Sequence, residues 1–213
     1  MADVKSRVML RIDSTTKKCP NFREEIAILK KQVDIVHVKL DLLISPSWSL
    51  RQLALEKMEY KFFFDIHLND VGNTVNKALA ALKETKAWGF SVTSFLSHRD
   101  CQNLIADKSE IKLFVAQSAA SFGSNFGRHT DLPIDGVICA GSELAAARQA
   151  CNKLVITEAS LHDTGDLFPA TLIGRGADFV SIDMEEFRTS PSGSFKEAAA
   201  LNGAIEEALE CRV

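Results

Sequence analysis

The chain has 213 residues, 46% of them apolar, enough for one substantial core and near the lower size limit of a closed eight-stranded barrel. Twenty-five basic residues face 28 acidic ones, a formal net charge of −3, and no basic stripe is present, which makes nucleic acid a poor partner. The longest apolar runs, such as Phe62 to Phe64 and Ile35 to Val38, are strand-sized, and the opening MADVKSR has no apolar signal core, so no membrane association and a cytoplasmic location are expected.

Short β-branched or aromatic runs alternate with polar, helix-patterned segments along the chain. The first run, Val8 to Asp13, precedes a helix at Asn21 to Lys31. Asp34 to Leu40 precedes Leu50 to Met58, and Lys61 to His67 precedes Thr74 to Lys86. Phe90 to Phe95 precedes Arg99 to Ala106. The fifth run, Ile111 to Ala116, leads into Ala119 to Arg128, whose Gly, Ser and Asn content predicts an irregular crossover. Asp135 to Cys139 precedes Ser142 to Cys151, and Lys153 to Thr157 precedes Leu167 to Ile173, which the Gly174 to Gly176 segment ends. Asp178 to Ile182 precedes a closing helix at Phe195 to Leu209. Eight near-evenly spaced units predict one α/β domain over 1–213, a (β/α)8 TIM barrel, with an open doubly wound sheet as the rival.

The five cysteines are odd in number and contain no CxxC pair, so neither a disulfide framework nor a zinc knuckle is expected. Trp88 and Phe90 read as packing between helix and strand. His98, Arg99 and Asp100 read as a solvated helix start, and no GxSxG supports a Ser-His-Asp nucleophile.

The third unit, FFFDIHLNDVGNTV, carries the chemistry. Strand alternation puts Phe63, Asp65 and His67 on one face and Phe62, Phe64 and Ile66 on the other. In a barrel the first face points inward, and Asp70 follows three residues later at the mouth, where barrel enzymes place their sites. On the second strand His37, Lys39 and Asp41 share a face by the same rule, which allows Lys39 to lie beside Asp65. The first strand ends in Asp13. A lysine among carboxylates keeps the acids ionised and itself protonated in a partly desolvated pocket.

The set Asp13, Lys39, Asp65, His67, Asp70, Gly72, Asn73 and Thr74 resembles the orotidine 5'-monophosphate decarboxylase family, whose third strand ends in Asp-x-Lys-x-x-Asp-Ile-(Gly/Pro)-Asn-Thr. The resemblance implies a barrel of the ribulose-phosphate-binding type and a carboxy-lyase that converts orotidylate to uridylate without metal or organic cofactor. By the same resemblance Asp13 and Lys39 hold the ribose hydroxyls and Asp65 presses on the substrate carboxylate. Asp70 and Thr74 serve the neighbouring subunit's site, so a homodimer with shared active sites is implied. Ser118 and Ser121 are both candidates for the base-reading serine.

Two departures stand out. His67 replaces the family lysine that stabilises charge at C6 and returns a proton; flanking aspartates would raise its pKa and let it act as the cation. The loops after strands seven and eight, TEASLHDTGD and SIDMEEFRTS, lack the family's Gln and Gly-Arg phosphate grip and are net acidic, leaving Arg188 as the candidate phosphate ligand. The expected function is a decarboxylase-like carboxy-lyase of pyrimidine nucleotide biosynthesis with altered activity. The alternatives are a non-catalytic barrel that binds or scaffolds, and a divalent-metal lyase or epimerase using Asp65, His67, Asp70 and His37, which Lys39 argues against.

Overall fold

The computed structural model describes residues 7–13, 21–45, 48–68, 72–116, 132–189 and 194–210. Asp70, Ser118, Ser121 and the Ala119 to Arg128 crossover lie outside them. Eight parallel strands close into a barrel in sequence order, with β8 returning to pair with β1. They are β1 (Val8–Ile12), β2 (Ile35–Lys39), β3 (Lys61–Leu68), β4 (Ala87–Thr93), β5 (Lys112–Ala116), β6 (Gly136–Cys139), β7 (Leu154–Glu158) and β8 (Phe179–Asp183). The outer helices are α1 (Phe22–Leu29), α2 (Leu40–Leu43), α3 (Trp48–Lys57), α4 (Gly72–Lys83), α5 (His98–Asp107), α6 (Leu144–Ala150), α7 (Pro169–Gly174), α8 (Met184–Thr189) and α9 (Ser194–Glu210). The expected (β/α)8 barrel is therefore present, and the open sheet is not.

Strand alternation sorts the core into two layers. Met9, Ile35, Phe63, Phe114, Ile138 and Ile156 fill the barrel interior, while Leu10, Ile12, Val36, Val38, Phe62, Phe64 and Phe90 pack outward against the helices. The Phe63 ring meets Phe114 edge-on at 5.2 Å and His37 at 5.2 Å, which builds a dry floor beneath the polar residues above. A Cβ at Gly136 would collide with the Phe114 ring, so glycine there makes room for this floor.

One core expectation is corrected. Phe90 packs outward as predicted, but Trp88 lies inside the barrel, 5.0 Å from Phe179 and 5.5 Å from Phe114 between ring centroids. Phe62 pairs with Ala87 and Phe63 with Gly89, so β4 carries an extra residue, and the bulge puts Trp88 and Phe90 on opposite faces. The strand also begins three residues before the expected Phe90, with Gly89 inside it. A Cβ at Gly89 would stand 3.0 Å from the Lys112 carbonyl oxygen, so the close approach of β5 favours glycine here.

At the amino ends, aspartates just before three strands anchor the barrel. Lys30 Nζ is 2.7 Å from Asp34 and Lys108 Nζ 2.7 Å from Asp135. Asp135 Oδ2 also accepts the Leu113 N–H at 2.9 Å, and Asp178 Oδ2, paired with Arg148, accepts the Val155 N–H at 2.8 Å. Ser97 caps α5, its hydroxyl accepting the Asp100 N–H at 3.1 Å, which fits the expected helix start at His98. Cys101 and Cys139 are buried thiols. Among the described residues no helix is long and apolar enough to cross a membrane.

Candidate active site

Lys39 is the last residue of β2 and pairs in register with Asp65 of β3, so alternation sends both side chains to the same side of the sheet. Lys39 Nζ donates to Asp65 Oδ2 at 2.7 Å. Asp65 is nearly sealed from solvent, its side chain 1% exposed, and each oxygen has two partners. Oδ1 accepts the Ser91 hydroxyl at 2.8 Å and lies 2.8 Å from His67 Nε2. Oδ2 takes Lys39 and lies 3.1 Å from His37 Nε2.

Burial alone would raise the Asp65 pKa, but contacts with His37, His67 and Lys39 overcome it and hold the carboxyl far below the usual carboxylate range. Lys39 shows the reverse balance: burial lowers its pKa, and Asp65 and Glu158 more than restore it, so the ammonium persists. Contact with Asp65 likewise raises the His67 pKa against partial burial. The site therefore holds an anchored carboxylate between an ammonium and an imidazole whose protonated form the carboxylate favours.

His67 reaches this position through its backbone. Between the pairs Phe64–Phe90 and Leu68–Val92, β3 contains two more residues than β4, and His67 sits in the bulge with φ 44°, in the left-handed region. Its N–H donates to Ser91 Oγ at 3.0 Å, and the same hydroxyl donates to Asp65. A non-glycine residue held there costs about 1–3 kcal/mol, and such strain concentrates at functional sites.

His37 is fully buried below Asp65 and is not a surface ligand. Its Nδ1 is 2.6 Å from Ser181 Oγ. An ionised Asp65 can only accept, so Nε2 carries the imidazole proton and Nδ1 accepts from the Ser181 hydroxyl. The Nε2–H is too poorly aligned with Asp65 to form a hydrogen bond, and the contact is electrostatic. Burial lowers the His37 pKa and Asp65 only partly offsets this, so His37 is neutral.

Asp13, Lys39, Asp41, Asp65, Ile66 and His67, with Leu40, line a hollow of about 410 Å³. Asp41 lies in α2 rather than on the strand, so alternation does not carry it there, yet it reaches the hollow. Thr74 is exposed in the first turn of α4. Arg188 does not line the hollow: it is held by Glu25 at 3.2 Å and Glu185 at 2.6 Å, because α8 carries it toward α1. Among the described residues no group of three His, Cys, Asp or Glu side chains is placed to hold a metal ion.

Four residues escaped the sequence reading of the site. Ser91 and Ser181 support Asp65 and His37, and an inward Arg11 pairs with Glu158 at 3.1 Å and Asp183 at 3.0 Å. Glu158, which in the sequence is one acid of the net acidic TEASLHDTGD segment, also reaches Lys39 at 2.8 Å. Arg11 was within reach of the period-two rule, since it shares a face with Asp13 between outward Leu10 and Ile12. Thr93 Oγ1, at the end of β4, is buried without a hydrogen-bond partner.

A closed parallel barrel with a charged hollow at the carboxyl ends of its strands defines the class. Within that class the fold is that of the orotidine 5'-monophosphate decarboxylases, as the resemblance implied. The chain superposes on the enzyme of that name from Metallosphaera sedula with a TM-score of 0.76 at 18% identity, covering 95% of this chain and 99% of that one. For the Sulfolobus solfataricus enzyme the TM-score is 0.75 at 16% identity, with 96% and 99% covered. For the Methanocaldococcus jannaschii enzyme, complexed with the inhibitor BMP, it is 0.73 at 15% identity, with 94% and 98% covered. No protein-family model and no curated protein matches the sequence.

Proposed function

We propose that the hollow is the active site of a carboxy-lyase that acts on orotidylate or a close pyrimidine relative. The observation that carries this is the Asp65 carboxylate held between the Lys39 ammonium at 2.7 Å and the His67 imidazole at 2.8 Å. Loss of CO2 leaves an electron pair on the pyrimidine C6. Lys39 and protonated His67 supply positive charge beside it, and His67, half exposed, donates the proton and regains one from water. Both Asp65 oxygens are already occupied, so here Asp65 fixes the two cations instead of pressing directly on the substrate. In this reading Asp13, which lines the hollow, binds ribose hydroxyls. Uridylate formation is followed by the fall in orotidylate absorbance: slow turnover that disappears in Lys39→Met supports the reading, and none at micromolar enzyme overturns it.

A homodimer belongs to the same reading, with Asp70 and Thr74 completing the partner's site. Leu40, Ile44 and Phe95, exposed to 49%, 77% and 69%, follow the carboxyl ends of β2 and β4 and suit burial against a second copy. Light scattering of purified protein reads the mass directly.

The position of Glu158 and Asp183, where the family grips phosphate, favours a second reading, a barrel that binds or scaffolds without catalysis. Thermal-shift titration separates the two: stabilisation by uridylate above that by uridine supports the enzyme, and no response to either supports the scaffold.

A further inference from the structure

Glu158 ends β7, yet its carboxylate engages cations from two other strands. One oxygen lies 2.8 Å from Lys39 Nζ on β2 and the other 3.1 Å from an Arg11 guanidinium nitrogen on β1. Because β8 and β1 stand between β7 and β2, the Lys39 contact spans the barrel mouth. Each cation has a second acid: Asp65 holds Lys39 at 2.7 Å and Asp183 holds Arg11 at 3.0 Å. Those two carboxylates are 1% and 17% exposed, whereas Glu158 is 46% exposed. Glu158 is the solvated member of the group.

We propose that Lys39 and Arg11 form a binding subsite for one ligand carboxylate, which Glu158 occupies until the ligand displaces it. The spacing suits a carboxylate, since each cation takes one of two oxygens on a single carbon. The charge fits too. Removing Glu158 leaves Lys39 and Arg11 each one carboxylate short, with Asp65 and Asp183 as their remaining acids. A monocarboxylate replaces that one shared charge, and a phosphate dianion would add a second negative charge beside Asp183. Burial would raise the Glu158 pKa, but Lys39 and Arg11 bring it below the ordinary value, so this point in the mouth favours negative charge. Ion pairs this open to water are individually weak, and displacement is correspondingly easy.

The subsite goes beyond the decarboxylase reading, and formate tests it without turnover. Glu158→Ala vacates the position, and formate is titrated against sodium chloride of equal ionic strength while Tm is followed. Saturable stabilisation of Glu158→Ala by formate alone, about 5 °C or more at a hundred times its Kd, is expected. The unmodified protein, in which formate must displace Glu158, should respond only at higher formate than Glu158→Ala, and the double variant Glu158→Ala with Arg11→Gln should give a flat response. An equal response to chloride, or a formate response that survives loss of Arg11, overturns the proposal. If Glu158→Ala does not fold, Glu158→Ser is read by the same criterion. Failure of both to fold also overturns it, because a displaceable occupant cannot be essential to the barrel.

Discussion

His37 Nδ1 on β2 and Ser181 Oγ on β8 stand 2.6 Å apart inside the barrel, although β1 separates their strands. Both residues are fully buried, and together they support the underside of Asp65. Because burial lowers the His37 pKa below its ordinary 6.5, the unfolded chain takes up a proton before the folded one does. The stability contributed by neutral His37 is thus complete above about pH 6.5 and is lost as pH falls from there toward the folded value. His37→Asn should remove this acid-side slope between pH 6.5 and 5 and cost about 1–3 kcal/mol at pH 8 through the lost buried contact. Urea unfolding at the two pH values measures both, and an unchanged slope would count against the assignment.

His67 has the opposite sign. Its pKa is raised above 6.5 by Asp65, so its stabilising contribution is complete below that value and disappears as pH rises through the folded pKa. In Asp65→Asn the imidazole should titrate close to its ordinary value in an NMR pH series. The same variant should lose about 1–3 kcal/mol of stability, since the sealed Asp65 position gives up charge-assisted contacts while the partly exposed Lys39 keeps Glu158.

The left-handed backbone at His67 predicts a trade between stability and chemistry. Asparagine tolerates this conformation better, so His67→Asn should stabilise the fold by about 0.5–1 kcal/mol when the two proteins are compared above the pH at which the folded His67 loses its proton in the NMR series. It should also abolish turnover of orotidylate. His67→Lys supplies the cation typical of the family, and a rise in kcat of at least about tenfold, worth about 1.4 kcal/mol in the barrier, is expected. A fall in kcat with Lys would mean that the imidazole does something an ammonium cannot.

Gly136→Ala should destabilise the barrel by about 1–3 kcal/mol without altering the residues around the hollow. The added methyl meets the Phe114 ring and lies 2.5 Å from the Leu154 carbonyl oxygen, and neither can retreat easily from a packed interior. Thermal unfolding and the His67 titration, measured on one sample, should show the first lowered and the second unchanged.

What the sequence determined by itself was local periodicity. Eight β/α units and the shared face of Phe63 and Asp65 were legible because side-chain direction on a strand follows from a two-residue repeat, whereas the bulge that carries His67 to Asp65 was not. The pairing of Lys39 with Asp65 followed once neighbouring strands were assumed parallel and in register. Only the tertiary structure decided which residues meet across the lumen, because that depends on barrel closure and strand stagger, to which no local pattern is sensitive. Closure brought Glu158 of β7 to Lys39 and Ser181 of β8 to His37, and the extra residue in β4 turned Trp88 inward against a local reading of the strand. Arg188 was a reasonable choice from its position after β8, but helix α8 begins at once and carries its guanidinium to Glu25.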